Sequence, residues 1–252
     1  MVSDKKYKFG NIVFHIKSPQ ELKDNEQLED FVIENSLHAD YIYSIYPMEI
    51  KTDSRIISPV YIKKFKNFIE VYIQESLISR ITVANLLSVT NAATYLPEKD
   101  EFVLHTAFVL YNGKAILFCA PSGIGKSTQA NYWREVKNAE VVNEDRAVIF
   151  KRDNVYYAGG CWATGKSQIC LNRTAPIQKI ILLEQGKENQ RLDLPLAEKF
   201  KRLIEQCSFD AGSEKSRNKI ISLVLDLISA VSVIGYACID DVSSVEELEK
   251  YI

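Results

Sequence analysis

The sequence is poor in the features that mark disulfide-rich proteins, zinc proteins and nucleic-acid-binding proteins. It has five cysteines in 252 residues, dispersed and without a C-x-x-C pair, which argues against a disulfide framework or a zinc site and favours reduced thiols. The 31 lysines and arginines are balanced by 33 acidic residues, for a net charge of −2. No broad basic field is therefore present to recruit nucleic acid or anionic lipid.

Long apolar runs are also missing. No run reaches the length of about 20 residues that a membrane span needs, and the first residues lack the apolar core of a signal peptide. The hydrophobic share of 46% and the charged share of 25% are those of an ordinary globular protein. We therefore expect a cytoplasmic protein whose partners include neither a membrane nor nucleic acid.

The strongest pattern lies in residues 114–128, KAILFCAPSGIGKST. It predicts an apolar strand, a loop containing Gly123 and Gly125, and a helix opened by Lys126 and Ser127. Glycines let backbone amides curl around an anion, and the first N–H groups of the helix point at it. Lys126 can then reach the β- and γ-phosphates, and the Ser127 hydroxyl can bind Mg²⁺. Ala120 replaces the first glycine of the G-x-x-x-x-G-K-[ST] pattern, and an ordinary strand–turn–helix corner is the alternative.

Two acids follow this motif at a suggestive distance. Residues 140–150 predict a strand that ends in Glu144 and Asp145, then another strand. Asp145 comes nineteen residues after Lys126, which leaves room for one helix and one strand returning beside the loop, where P-loop proteins place a carboxylate near the metal. Neighbours on a strand face opposite ways, so we expect one of the two acids to point into the site. A polar turn is the alternative.

His105 lies upstream of the loop, in a predicted strand over 102–111. The Asn112–Gly113 pair that follows is a strong two-residue hairpin signal. We therefore expect His105 on a strand antiparallel to that of the loop, within reach of the phosphate region. The alternative is a core histidine whose hydrogen bonds are all made within the protein and that has no role in a site.

The rest of the chain divides into a β-rich region over 1–99 and an α/β P-loop domain over 100–252. The boundary rests on a polar stretch near 97–100, and the next strand could equally continue the preceding sheet. A second glycine-bearing loop over 159–166 has residues suited to lining a site. A strand or a hairpin is expected over 7–16. Further strands are expected over 41–46, 65–73, 177–184 and 233–240, and helices over 127–137, 195–207, 213–232 and 243–250.

Together, His105, the stretch 120–130, Trp133 and the stretch 143–149 (NEDRAVI) resemble the catalytic region of HPr serine kinase/phosphorylase. The match looks best to short HPr-kinase-like proteins found beside ribosomally made peptide clusters, often labelled relatives of ATP-type phosphoenolpyruvate carboxykinase. The resemblance covers about residues 100–250. It implies a P-loop sheet flanked by helices, preceded here by the β-rich region.

The resemblance also implies the cofactors and the site residues. ATP and Mg²⁺ are the implied cofactors, with the metal on Ser127 and near Asp145. Catalytic roles fall on Asp145 as acid/base, His105 near the transferred phosphate and Lys126 on the phosphates, while Glu144 shares the acid pair and leaves open which acid is the base. The implied phosphate-binding residues are Pro121, Ser122, Gly123, Ile124, Gly125, Lys126, Ser127 and Thr128.

One departure from the family bears on the acceptor. The Glu-x-Arg-Gly-x-Gly element of HPr kinases has no counterpart near 160–165, which argues against HPr as substrate and against the reverse phosphorylase reaction. We expect an ATP-dependent kinase acting on a hydroxyl of a peptide, a protein or a small molecule. The alternative is a non-catalytic nucleotide-binding module that orders a peptide- or protein-binding surface. A carboxykinase is disfavoured, and a homo-oligomer stays open.

Overall fold

The computed structural model describes residues 3–23, 26–34, 36–49 and 60–252. The chain forms two compact units, Met1–Ala92 and Ala93–Ile252. Each contains a mixed β-sheet and helices, which confirms the α/β class. Whether the units are the independent domains predicted over 1–99 and 100–252 stays a prediction. No helix within the described ranges is long and apolar enough to cross a membrane.

The first unit is built on a six-stranded sheet in the order β3-β1-β2-β4-β6-β5. Its strands are β1 (Ser3–Phe9), β2 (Ile12–Ser18), β3 (Val32–Ile33), β4 (Tyr41–Met48), β5 (Val60–Phe65) and β6 (Phe68–Gln74). Its helices are α1 (Glu26–Glu29), α2 (Glu75–Ile78) and α3 (Val83–Val89). The single strand expected over 65–73 is wrong at its start, because Lys66 adopts a left-handed φ of 53° and turns the chain between β5 and β6.

After a 3₁₀ helix over Ala92–Lys99, the second unit contributes ten strands and four helices within the described residues. The strands are β7 (Phe102–His105), β8 (Ala107–Tyr111), β9 (Lys114–Cys119), β10 (Glu140–Asn143), β11 (Arg146–Arg152), β12 (Val155–Gly159), β13 (Thr174–Gln185), β14 (Gln190–Leu192), β15 (Cys207–Ser208) and β16 (Val233–Cys238). The helices are α4 (Lys126–Lys137), α5 (Leu196–Ile204), α6 (Glu214–Ala230) and α7 (Ser243–Glu249).

The long strand β13 joins two parts of this sheet. Its first residues pair with β12, and its remainder lies parallel to β9 on one side and to β16 on the other. Alternate residues of β9 point to opposite faces: Leu117 packs with residues of α5 and α6, and Phe118 packs with residues of α4 and α7. Helices therefore cover both faces of the parallel part, as expected for a sheet flanked by helices.

Strand direction brings several loops to one edge of the sheet. Strands β9, β13 and β16 are parallel, so their carboxyl ends coincide. Strand β10 is antiparallel to β8, which is antiparallel to β9, so β10 also ends at this edge. Open α/β sheets bind ligands beyond the carboxyl ends of their parallel strands. The loops after β9, β10, β13 and β16 are thus positioned to share one site.

The strand that carries His105 differs from the expectation. The predicted strand over 102–111 divides at Thr106, whose backbone N–H donates to Asp145 O at 2.9 Å and whose hydroxyl donates to Phe118 O at 3.0 Å. Beyond this break β8 pairs with β9, whereas β7 pairs with β11 and sets His105 opposite Arg146. His105 is therefore not on the strand antiparallel to β9, and it reaches the same edge from β7.

Gly235 of β16 allows close packing against β14. A Cβ at this position would lie 2.7 Å from Leu194 Cδ1 and 2.9 Å from Leu192 Cβ. Because Leu192 Cβ cannot move without its backbone, we expect Gly235→Ala to lower the free energy of unfolding by about 1–3 kcal/mol. Chemical denaturation measures this. Gly165→Ala is the control, since its Cβ would meet atoms only at 3.6 Å and beyond, and an equal loss in both variants would contradict the packing explanation.

Candidate functional site

The loop between β9 and α4 is shaped by two glycines. Gly123 and Gly125 have φ angles of +86° and +114°, a left-handed region that favours glycine. An added Cβ at either position would meet nothing within 4 Å, so space is open beside both. Gly125 is the N-cap of α4, and no side chain caps the helix. The first N–H groups of α4 are thus left without a side-chain partner, as an anion site requires.

Lys126 lies folded over this loop. Its side chain is only 7% exposed, and Nζ donates to the carbonyl oxygens of Ala120 at 2.9 Å and Pro121 at 3.3 Å. Burial lowers the pKa of the ammonium group, and the negative charge of Asp145 acts in the opposite direction. Lys126 is therefore held by two neutral carbonyl oxygens, and the negative charge of Asp145 favours its protonated form.

The other predicted phosphate-binding residues surround Lys126 at different depths. Pro121, Ser122 and Gly123 are exposed, whereas the rest are partly buried: Ile124, Gly125, Ser127 and Thr128. The Ser127 hydroxyl makes no hydrogen bond with any described residue. It lies in the first turn of α4, directly after Lys126, where it is available to a ligand.

Asp145 lies in the bend between β10 and β11 and is paired on both oxygens. His105 Nε2 lies 3.3 Å from Oδ1, and Arg146 Nε donates to Oδ2 at 3.1 Å. The contact with His105 lowers the pKa of Asp145 below its ordinary value of 3.8, and Arg146 adds to this effect while burial opposes it. Asp145 is therefore an ionised carboxylate across the physiological pH range.

The imidazole of His105 is fixed from two sides. Its Nδ1 lies 3.0 Å from Gln206 Oε1, and its backbone N–H donates to Gln206 O at 2.8 Å. Its Nε2 faces Asp145. The structure thus brings His105, Asp145 and the Lys126 loop together at one edge of the sheet, although the predicted strand of His105 pairs with β11 and not with β9.

Glu144 occupies the same bend with different surroundings. It is only 8% exposed, yet its carboxylate makes no hydrogen bond or ion pair with the described residues. Because both acids lie in a bend and not on a strand, the expectation that they alternate across a strand is wrong. Asp145 is the acid linked to His105.

Asn143 shapes the bend and was missed by the sequence analysis. It is fully buried, and its Oδ1 accepts hydrogen bonds at 2.9 Å from the backbone N–H groups of Asp145 and Arg146. Its Nδ2 donates at 3.0 Å to the carbonyl oxygens of Cys161 and Ala163. Asparagine is a common turn former, so Asn143 at the end of a predicted strand could have indicated the bend that follows it. Gln206, the partner of His105, has no such local signal.

The second glycine-bearing loop lies against the acids. A Cβ on Gly165 would be 3.6 Å from Asp145 Cβ and 3.8 Å from Glu144 Cβ. The hydrogen bonds from Asn143 to Cys161 and Ala163 hold the loop there. This segment therefore lines the bend that carries Asp145.

The cysteines and the metal-ligating residues limit the chemistry of the site. All five cysteines are free thiols, and burial raises the pKa of Cys119 and of Cys161 to about 12. These two thiols are therefore poor nucleophiles. Among the described residues, no group of three or more His, Cys, Asp or Glu could hold a metal ion. Mg²⁺ needs only one or two protein ligands when it is bound with phosphates, and Ser127 and Asp145 stay its predicted ligands.

Comparison with known proteins assigns no family. No family model matches the chain, and no curated protein matches it. Among solved structures, the chain is similar to the Hpr(Ser) kinase/phosphatase from Coxiella burnetii, with 17% identity and a TM-score of 0.27. The match covers 37% of this chain and 66% of the Coxiella burnetii protein. The chain thus spans slightly less than two thirds of the length of that protein.

The role of Asn143 can be tested by stability. Asn143→Ala leaves two partly buried backbone N–H groups and two carbonyl oxygens without their partner, and an unpaired buried polar group costs about 1–3 kcal/mol. We expect a loss of at least about 2 kcal/mol in the free energy of unfolding, measured by chemical denaturation. The control is Asn218→Ala, at an exposed position of α6. A loss at Asn143 no larger than at Asn218 would show that these bonds do not stabilise the bend.

The lowered pKa of Asp145 predicts a pH dependence of stability. Its stabilising contribution is full above the ordinary value of 3.8 and is lost as the pH falls through the lower value of the folded state. We therefore expect the free energy of unfolding of Asp145→Asn to fall less steeply than that of the wild type between about pH 5 and about pH 3. Urea denaturation across this range measures it, with Asp193→Asn, at an exposed position, as the control. Parallel curves for wild type and Asp145→Asn would contradict the pairing.

Proposed function

We propose that this chain is an HPr-kinase-like phosphotransferase that moves the γ-phosphate of ATP to a serine or similar hydroxyl of a peptide, a protein or a small molecule. The observation that carries the proposal is one edge of the sheet, where strand direction brings the Lys126 loop together with the bend of Asp145, itself paired with His105. Phosphoryl transfer needs a phosphate cradle, a metal and a residue that orients the hydroxyl.

The residues present fit a metal–polyphosphate. The uncapped start of α4 and the left-handed glycines offer backbone N–H groups, and Lys126 offers a cation whose present partners are neutral carbonyls. Ser127 and Asp145 would hold Mg²⁺, which when bound offsets negative charge on the phosphates. Each feature suits a triphosphate better than a neutral ligand.

Asp145 is the residue we assign to the acceptor hydroxyl. In the proposed step the hydroxyl oxygen bonds to the γ-phosphorus, the bond from that phosphorus to the bridging oxygen breaks, ADP leaves and the hydroxyl proton passes to Asp145. A strong base is not required, because the transition state of phosphoryl transfer is loose. The low pKa of Asp145 keeps it ionised for this role, His105 orients it, and Lys126 balances charge on the transferred group.

A second candidate is a non-catalytic nucleotide-binding module that orders a peptide- or protein-binding surface. The pairing of both Asp145 oxygens favours it, because the contacts with His105 and Arg146 lower the affinity of the carboxylate for a proton. We propose a cytoplasmic location for either function, with no nucleic acid or membrane as partner. A homo-oligomer is compatible with both.

Titration with Mg²⁺–ATP separates these functions. We expect Asp145→Asn to retain ATP binding through the Lys126 loop, weakened by the loss of one proposed metal ligand, while its rate of ADP release falls at least about a hundredfold below that of the wild type. Asp193→Asn, at an exposed position, is the control and should match the wild type. Binding without ADP release by the wild type, even with serine-containing peptides added, would support the non-catalytic module. No binding at all would refute a phosphate loop.

A further inference from the structure

We propose that a cleft beside the phosphate loop binds the base of the nucleotide and that Asp240 recognises an amino group on that base. This inference rests on the proposed binding of a nucleotide and adds to it the part of the ligand that sets base preference. It concerns residues after β16 for which the sequence analysis assigned no function.

The cleft continues from the phosphate loop. It has a volume of about 130 Å³ and is lined by Ile124, Thr128 and Gln129 from the loop and α4, and by Gln185, Ile239 and Asp240 from the ends of β13 and β16. The loop glycines 123 and 125 also line it. A ligand with its phosphates on the loop therefore has room beside them for a single planar heterocycle.

Gln129 forms part of the wall of this cleft and is held in place. The residue is only 2% exposed, and its Nε2 donates to the buried Ser244 Oγ at 2.7 Å, which fixes the amide. Its Oε1 is buried and makes no hydrogen bond with the described residues. Because that oxygen is not accessible from the cleft, Gln129 shapes the wall and a ligand must be recognised by another residue.

Asp240 supplies an exposed acceptor in the lining of the cleft. Tyr132 OH donates to its Oδ1 at 3.0 Å, and the preceding residue, Ile239, donates its backbone N–H to Asn189 Oδ1 at 3.1 Å. The Tyr132 contact orients the carboxylate and leaves Oδ2 without a partner among the described residues. A carboxylate at this position repels phosphate and attracts N–H donors.

The apolar and acidic side chains of the lining favour a planar ligand that carries a hydrogen-bond donor. The carboxylate of Asp240 accepts hydrogen bonds, and the exocyclic amino group of a base supplies a donor. Ile124 and Ile239 offer apolar surface to the faces of a ring. An amino-bearing base such as adenine fits, whereas a base without an amino group makes no hydrogen bond with Asp240, whose exposed carboxylate then stays hydrated.

The test compares three probes on the wild type by calorimetry with Mg²⁺: ATP, purine riboside 5′-triphosphate, which lacks the amino group, and inorganic tripolyphosphate. A hydrogen bond to a charged group corresponds to about ten- to a hundredfold in affinity. We therefore expect ATP to bind at least about tenfold more tightly than either other probe. Asp240→Ala should lose this advantage and keep the affinity for tripolyphosphate.

Asp241→Ala is the matched control, because Asp241 is the neighbouring carboxylate and accepts a hydrogen bond from the Ser243 backbone. It should retain the preference for ATP. If tripolyphosphate binds the wild type as tightly as ATP, or if Asp240→Ala keeps the full ATP preference, the base subsite is refuted while the phosphate loop stands. If neither ATP nor tripolyphosphate binds, both the subsite and the proposed nucleotide function fail.

Discussion

The parallel pairing of β13 with β9 on one side and β16 on the other is the constraint on which the candidate site depends. This pairing places the Lys126 loop, which follows β9, and the Asp240 loop, which follows β16, at the same edge of the sheet. The antiparallel pairs from β9 through β8 to β10 add the Asp145 bend to that edge. Residues far apart in sequence therefore lie at one edge because of strand direction. The Lys126 loop contributes a cation, and the Asp145 bend and the Asp240 loop each contribute a carboxylate.

The charges at this edge compensate one another at short range. Asp145 lies between His105 and Arg146, and Asp145 and Arg146 act oppositely on the pKa of Lys126. Partly buried charges are tolerated when each has a partner and hydrogen bonds hold the geometry. Asn143 provides that geometry through the backbone, so the position of Asp145 is set by a neutral, fully buried amide.

The sequence predicted the parts of the site that are local. The strand, glycine loop and helix around Lys126 are encoded within a few residues, and the spacing to Asp145 needs only one helix and one strand. The prediction of one continuous strand through His105 was wrong, because at Thr106 the chain changes from pairing with β11 to pairing with β9. This change depends on tertiary contacts, and no glycine, proline or other turn-forming residue marks it in the sequence. Gln206 and Asp240 reach the site only through packing, so no pattern in the sequence indicated them.

The two acids of the bend differ in what they already bind, and this difference bears on their roles. Glu144 is buried without an ion pair among the described residues, and a buried carboxylate without a partner is unfavourable. Asp145 has both oxygens engaged. Under the proposed function, Glu144 is free to balance a cation brought in with a polyphosphate, whereas the contacts of Asp145 with His105 and Arg146 lower its affinity for a proton. The surroundings of the two acids therefore suit Glu144 to charge compensation and keep Asp145 as an ionised carboxylate.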